Sequence, residues 1–550
     1  MFWFPLCNYT HYSLLKGFSK PHSLAKKCSE NHYKACGIAD YKSISGAVSF
    51  YKACINEGVK PIIGCSFDAF TLFAKNKNGW FDLIEIISSL DSDNELDTKT
   101  LLNVCKRENL ISIAKDEASS PINGEDFYEK SASLMDIFYT NKEEADLHRI
   151  LLCSAMKTTL PKIKTKRRTG ETFDNQVFFE SNDFFLKNQV QVSEVLLSDP
   201  DSIDSLQSIY NKCEEYDILN KPMLPKFPTP SGESEEEYLK QLCRNGWSDM
   251  LIKTGKVEKK QDKKAYLDRF TMEFDVINSA DLFGYFLIVQ DIVSYVNNKG
   301  WLSGPGRGSA AGCLISYLIG VTKIDPIEFD LLFERFYNSG RNTKDNISLP
   351  DIDMDVPGNK RDEIIGYLKE KYGHGNVSQM LTFGRLQGRS ALKEVLRVNN
   401  ACGFSEMNEI TKAIPNEAEI SDQLQEMDEE DRSIIRWALA NNPEDLIDYC
   451  FINDKGELDG DYAEFFQQAI NIEGTFKTQG KHAAGVVISA EELNKVCPMV
   501  NPKSGEEKIA GLEMADLEAL GHVKFDVLGI NLLDKIMKVQ ELVEGNQNES

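Results

Sequence analysis

The stretch SLPDIDMDV, residues 348–356, sets Asp351, Asp353 and Asp355 in alternation with Ile352, Met354 and Val356, directly after a proline. Period two is the mark of a half-buried strand, because successive side chains point to opposite faces of a sheet. One face is then apolar and packs inward. The other carries carboxylates about 7 Å apart at every second residue. At an effective dielectric of about 20, each neighbouring ionised pair repels by about 2 kcal/mol. A chain that keeps such a row needs cations to offset it.

Two further stretches bear on what those cations do. WLSGPGRGSAAGCLISYLIGV (301–321) holds glycines at 304, 306, 308 and 312, which free the backbone to bring N–H groups close to an anion. Ser309 is expected to open an apolar helix whose N-terminus favours negative charge. The pattern is neither the Walker A loop nor the dinucleotide fingerprint, and a purely structural turn is the competing reading. HVKFDVLG (522–529) alternates again, placing His522, Lys524 and Asp526 on one face and Val523, Phe525 and Val527 on the other. An ordinary exposed strand face would account for it in isolation. Beside the first strand, Asp526 would add a carboxylate and Lys524 a cation for phosphate. Two divalent ions about 3.5–4 Å apart would relieve the repulsion and suit phosphoryl transfer. Oxygen ligands and phosphate substrates favour Mg²⁺ over zinc.

Length and composition bound the alternatives. The chain has 550 residues, enough for three or four domains, with 41% hydrophobic and 27% charged residues, as in globular proteins. No apolar run reaches the roughly 18 residues a membrane span needs. The first residues lack the blocks of a signal peptide, so a reducing cytoplasm is the expected location. Thirteen cysteines occur without a C-x-x-C pair, which indicates neither a zinc site nor a disulfide framework. The net charge of −24 argues against nucleic acid at first sight. Its distribution argues otherwise. Acid is concentrated at 232–238 and 416–431, base at 162–168, 253–264 and 383–398. In FGRLQGRSALKEVLRV (383–398), read as a helix, Arg385, Arg389, Lys393 and Arg397 recur every four residues and form one stripe. A solvated face is the bland reading; proximity to the aspartate strand favours phosphate-backbone contact.

Along the chain, α/β-type alternation before residue 219 suggests a parallel sheet or barrel-like layer. A proline-rich boundary follows at 219–237, and residues 383–470 read as mostly helical.

With these motifs in hand the chain resembles the N-terminal part of the C family of bacterial replicative DNA polymerases, the DNA polymerase III alpha subunits. The resemblance covers essentially the whole chain. It rests on FGYFLIVQDIV (283–293), GPGRGSAAG (304–312), DPIEFDLLFERF (325–336), PDIDMDV (350–356), GKHAAGVVIS (480–489) and VKFDVLG (523–529), in that order. The implied fold is α/β and multidomain, a PHP-type distorted barrel followed by a polymerase-beta-like nucleotidyltransferase palm with an inserted helical thumb. The implied limits are 1–225 for the PHP-like domain, 226–381 and 479–535 for the palm, 382–478 for the thumb and 536–550 for the start of the fingers. Asp351, Asp353 and Asp526 match the family's catalytic aspartates and metal ligands, with Asp355 a further metal candidate. Gly308, Ser309 and Lys524 fall where the family contacts the incoming triphosphate, and Arg335 is a further candidate. The implied reaction is attack of a primer 3′-hydroxyl on a deoxynucleoside triphosphate, directed by template DNA and served by two Mg²⁺ ions.

Two departures stand out. In metal-binding PHP domains the opening motif has two histidines flanking one residue, whereas LCNYTHYS (6–13) has Cys7 and Tyr9 there. Asp40 is kept, but Tyr41 stands where a histidine would follow and Ser66 where a glutamate is expected. His11 is out of phase with a ligand on that strand face. A structural domain without nuclease activity is therefore expected. Second, the family continues into fingers, a clamp-binding region and an oligonucleotide-binding fold. A second polypeptide supplying fingers and the clamp-binding region is the expected partner, as in a split polymerase, and a trimmed gene of this kind suits a bacterial virus. The alternative to a catalytic half is a non-catalytic DNA-binding or assembly module; a phosphoesterase centred on the N-terminal domain is a third reading.

Overall fold

The computed structural model describes residues 2–96, 100, 103–104, 107–115, 126–169, 178–338, 340, 349–428, 432–502 and 507–548. Ser348 of the opening stretch and residues 429–431 of the acidic segment lie outside them. The chain forms two compact units, one chiefly Met1–Ile218 with Phe383–Gly480, the other chiefly Leu219–Thr382 with Lys481–Pro502 and Glu506–Ser550.

The first unit contains strands β1 (Cys7–Asn8), β2 (Ala35–Tyr41), β3 (Lys60–Ser66), β4 (Phe70–Ala74), β5 (Leu110–Ala114), β6 (Phe127–Glu129) and β7 (Asp136–Ile137). Strands β2 to β6 make a five-stranded sheet in sequence order, and β1 pairs separately with β7. The sheet is mixed rather than parallel: β2–β3 and β5–β6 are parallel, β3–β4 and β4–β5 antiparallel. Only three residues separate β3 from β4, too few for a parallel crossover, so the chain must turn straight back. Close packing of the backbone at the opening strand demands glycine at 37, where a Cβ would lie 2.1 Å from the Leu6 carbonyl oxygen. Helices between the strands carry ordinary start signals. Pro21 occupies the first turn of Pro21–Glu30, and the Asn76 side chain accepts from Gly79 N at the head of Lys77–Ser89.

The rest of this unit is helical, with one small hairpin of β10 (Phe451–Ile452) and β11 (Leu458–Asp459). Helix Arg389–Asn399 buries Leu392, Val395 and Leu396 against the apolar faces of Phe404–Lys412 and Ala463–Ile472. The helix expected from 383 does not begin there. Strand β9 (Val377–Arg385) runs through Arg385, and the helix starts only at Arg389, after Gly388 at φ +44°. Pairing inside a sheet overrides the helical spacing of the cations, and the glycine breaks the chain direction between them.

The second unit is organised on a six-stranded sheet. Besides β8 (Asp353–Pro357) and β9 it contains β12 (Phe476–Ile488), β13 (Met499–Val500), β14 (Ile509–Ala510) and β15 (Val523–Ile530), in the order β13-β14-β9-β12-β15-β8. Alternation along both aspartate-bearing segments sets the apolar face. Ile352, Met354 and Val356 are buried, as are Val523, Phe525 and Val527. Asp353, Asp355, Lys524 and Asp526 face the other side, part-exposed. Helix Phe283–Asn298, buried along most of its length, covers the apolar face; Tyr285 stacks on Phe525 with ring centroids 5.3 Å apart. Ahead of it, helix Glu235–Gly246 starts with a capping box between Ser234 and Glu237. Among the described residues no single helix is long and apolar enough to cross a membrane, and the cysteines are free thiols, nearly all buried.

Candidate active site

Strand register assembles the acidic centre. Parallel pairing of β15 with β8 sets Asp526 directly opposite Asp353, while Asp351 lies just before β8. One carboxylate oxygen from each of Asp351, Asp353 and Asp526 lies within 4.8 Å of the other two. Asp355 is not part of this group. Its register partner is Leu528, two positions further along the strand or about 7 Å away, and it turns towards the glycine loop. There Gly304 N donates to the Asp355 carbonyl (2.9 Å) and Arg307 Nε lies 3.2 Å from Asp355 Oδ1. Gly304 has to be glycine: a Cβ would stand 2.6 Å from that of Asp355.

Two side-chain cations offset the charge. Lys524 Nζ donates to Asp526 Oδ2 at 2.7 Å and lies 3.5 Å from Asp351 Oδ1. Arg307 Nη2 lies 3.4 Å from Asp353 Oδ2. Burial pushes the Asp353 carboxyl above its ordinary value; Arg307 opposes this, and the charges of Asp351, Asp526 and Asp355 add to it. For Lys524 burial works towards a lower value, but the hydrogen bond and charge of Asp526, with Asp351 behind it, outweigh it and hold the ammonium above its usual range. Asp526 Oδ1 is buried and lacks a hydrogen-bond partner among the described residues. Three convergent carboxylates, one with an orphaned buried oxygen, form a hard-oxygen donor set that fits a divalent ion such as Mg²⁺.

The glycine-rich loop folds differently from expectation. Gly308–Gly312 is a 3₁₀ turn containing Ser309, and the α-helix that follows is the short Leu314–Leu318, headed by Cys313 rather than Ser309. A cavity of about 530 Å³ is lined by Gly308, Ser309, Gly312, Asp330, Leu331, Leu332 and Arg335. Gly308, Ser309 and Arg335 therefore share one concave surface, whereas Lys524 sits at the carboxylates. The cavity walls are tied together from behind. Arg269 Nη2 donates to the carbonyls of Gly312 (2.6 Å) and Leu331 (3.0 Å). Its Nε donates to Glu273 (2.6 Å), a fully buried carboxylate that also accepts from Leu314 N (2.9 Å) and Ile315 N (3.0 Å). Sequence reasoning missed Arg307, Arg269 and Glu273. The i,i+4 spacing of the last two on one helix was the available signal, but nothing local says that the pair faces a loop some forty residues on.

The cationic stripe is broken up. Arg385, at the end of β9, lies over the Phe476 ring at 5.2 Å. Arg389 donates to the carbonyls of Ile414 and Lys412, and Lys393 to Asn408 Oδ1 at 2.8 Å. Arg397 pairs with buried Glu394, which also accepts from Lys477 at 2.5 Å. Only Arg389, Lys393 and Arg397 share a helix, and each is engaged by its own chain.

In the N-terminal unit Tyr9, Asp40, Tyr41 and Ser66 are engaged in hydrogen bonds, and Cys7 is buried. Tyr9 Oη and Ser66 Oγ are 3.1 Å apart, and Tyr41 Oη donates to Asp68. Buried His11 stacks on Phe476 at 4.0 Å. Asp40 is fully buried and accepts from Thr10 N (2.7 Å), Thr10 Oγ1 (2.7 Å) and Ser13 Oγ (2.6 Å). Burial pushes its carboxyl up to about 6, from an ordinary value of 3.8, against the pull of those donors. A folded value above the unfolded one gives a stabilising contribution that is fully present below the unfolded value and lost as pH rises through the folded one. Asp40→Asn should therefore remove a fall in unfolding free energy of about 3 kcal/mol between roughly pH 4 and 6. Urea unfolding of both proteins across that range measures it, and parallel curves would refute the assignment.

Comparison with known proteins adds an ordered match. The family profile described as "Bacterial DNA polymerase III alpha NTPase domain" matches residues 237–529, and the PHP domain profile matches residues 6–145. Curated relatives named DNA polymerase III subunit alpha include that of Pseudomonas aeruginosa, 27% identical over 605 residues, covering 98% of this chain and 48% of the relative. That of Bacillus subtilis is 29% identical over 585 residues (98% and 49%), and that of Aquifex aeolicus 28% over 634 (98% and 52%). The chain spans about half the length of these relatives.

Proposed function

Because the chain belongs to the bacterial DNA polymerase III alpha family and carries a PHP domain ahead of the matched region, we propose that it is the catalytic half of a replicative, DNA-directed DNA polymerase. The observation that carries this reading is the register pair Asp526–Asp353, with Asp351 beside it, which converges three carboxylates within 4.8 Å on a sheet next to a glycine-lined loop. On this reading the second unit is the palm, residues 382–478 are the thumb and the N-terminal strands form a PHP-type barrel without a nuclease site.

Asp351, Asp353 and Asp526 would hold two Mg²⁺ ions, with Asp355 beside them. When bound, the ions would lower the pKa of the attacking primer hydroxyl and neutralise charge on the departing pyrophosphate. The chain's own groups position the reactants. Gly308, Ser309 and Arg335 line a cavity of suitable size for a triphosphate tail, to which backbone N–H groups and a guanidinium would offer donors. Lys524 pairs with Asp526, lies 3.5 Å from Asp351 and presents a cation to a phosphate. Arg385, over the Phe476 ring, Arg389 and Lys393, on carbonyl and amide oxygens, and Arg397, beside Glu394, contact the duplex backbone.

Primer extension with Mg²⁺ and all four deoxynucleoside triphosphates tests the reading. The chain should extend a primer–template in the presence of a polypeptide carrying the portion of the relatives that it does not span, and the increment should follow the template sequence. No templated incorporation under those conditions would refute it.

A further inference from the structure

The N-terminal unit holds a cavity at the starts of its first paired strands. β2 and β3 pair from Ala35 and Lys60 onward, so Asp40, Tyr41 and Ser66 lie at their far ends, roughly 20 Å along the strands. Helices Ala47–Asn56 and Ser202–Lys212, with the segment after the second, close around the strand starts and leave a space of about 430 Å³. That volume is within the range of small-molecule sites. All of its lining belongs to the N-terminal unit, so it stands independently of the carboxylate centre.

The lining is aromatic and aliphatic. Tyr51 and Ile55, four residues apart on one helix, border it together with Tyr210, Tyr216, Val59 and Ile63. Tyr210 is fixed in place. Phe2 and Phe4 meet its ring edge-on, with centroids 5.0 and 5.9 Å away, and Lys60 Nζ lies 4.4 Å from its centroid. Lys60 Nζ also donates to the Cys213 carbonyl at 2.6 Å, which ties β3 to the segment that carries Tyr216.

One polar atom of this lining is unmatched. Tyr216 Oη is buried and has no hydrogen-bond partner among the described residues. Tyr51 differs, because it is bonded to Asp217; burial first, then that carboxylate, push its phenol up to about 12. Burial also raises the Tyr216 phenol, which therefore keeps its proton as a donor. A buried hydroxyl without a partner is costly, and an acceptor brought by a ligand would offset that cost. The charged groups of the lining balance, with Lys34 and Lys60 set against Glu215 and Asp217.

We propose that this cavity binds an uncharged, planar heteroaromatic ring whose carbonyl or ring-nitrogen acceptor receives the hydrogen bond of Tyr216 Oη. Phenol rings favour flat partners in offset or edge-on contact. Two cations matched by two carboxylates give no net preference for an ion. An alkyl chain would leave the hydroxyl unmet, and a sugar would set several hydroxyls against aliphatic walls. The ring could be a free nucleobase, the base of a nucleoside or a nicotinamide; the recognition chemistry is shared.

Isothermal titration of the full chain at pH 7 with uracil, nicotinamide and adenosine tests it, with indole as a flat ring that lacks the acceptor. At least one of the three should bind saturably, and tenfold or more tighter than indole. Tyr216→Phe should weaken that binding tenfold or more. Its unfolding temperature without ligand should stay put or rise, since the change removes an unmatched polar atom. Ile55→Glu, at a position 54% exposed and therefore tolerant of charge, should weaken binding as well. Binding of adenosine assigns the site to a nucleoside; binding of uracil or nicotinamide alone assigns it to a single ring. No saturable binding of any of the three, indole binding as tightly, or binding unchanged by Tyr216→Phe overturns the proposal.

Discussion

Asp353→Asn will lower templated nucleotide incorporation by about a thousandfold or more, about 4 kcal/mol of barrier, without lowering the unfolding temperature. The two halves of this expectation come from one geometry. Asp353 is the central member of the triad, opposite Asp526 across a parallel strand pair and adjacent to Asp351. Removing its charge takes a hard ligand from the place where two phosphate-bearing reactants must meet. The same charge is a burden to the fold, because burial and three neighbouring carboxylates raise its pKa against the pull of Arg307. Asparagine keeps the shape and relieves the repulsion, so thermal unfolding should shift upwards or stay put. Mg²⁺-dependent stabilisation, which needs no polymerase partner, should weaken in parallel. Full incorporation by the variant would remove Asp353 from the site; a large fall in unfolding temperature would mean that it is a structural residue.

Glu273→Ala will cost about 3–5 kcal/mol in stability, the range for breaking a buried, hydrogen-bonded charge pair. The carboxylate is fully buried and receives two backbone amides at the start of Leu314–Leu318 as well as Arg269. Its loss leaves two N–H donors and a guanidinium without their acceptor. Arg269 also holds the carbonyls of Gly312 and Leu331 on two sides of the cavity. Glu273→Gln retains an acceptor oxygen and should lose distinctly less. Urea unfolding measures both variants. Where the alanine variant still folds at low temperature, its KM for deoxynucleotide should rise more than its kcat falls, because the cavity is loosened and the triad is not. A cost below about 1 kcal/mol would show that the loop is held by other contacts.

Much of the local architecture can be read along the chain because it depends on neighbours two to four residues apart. Ile352, Met354 and Val356 declare their buried face by alternation, as do Val523, Phe525 and Val527, and Ser234 with Glu237 announces a helix start. The same local logic misled at Arg385. A spacing of four suits a helix, but the segment before Gly388 is recruited into a sheet by strands distant in sequence. It also misled at Ser309, where a 3₁₀ turn delays the helix to Leu314. His522 shares the spacing of Lys524 and Asp526, yet it is buried before the strand begins, with Nε2 3.5 Å from the Val496 carbonyl.

From the order of residues alone follow the kinds of chemistry available: an excess of hard oxygen ligands, an anion-friendly glycine loop, and a PHP-like opening with Cys7 and Tyr9 in place of the paired histidines. The folded chain was needed to decide who meets whom. Asp526 reaches Asp353 only through the register of two strands more than 170 positions apart, and Arg307 stands against Asp353 and Asp355. Periodicity encodes which way a side chain points from its own backbone. The partner across a sheet is selected by the burial of apolar surface from many segments at once, and no single segment contains that information.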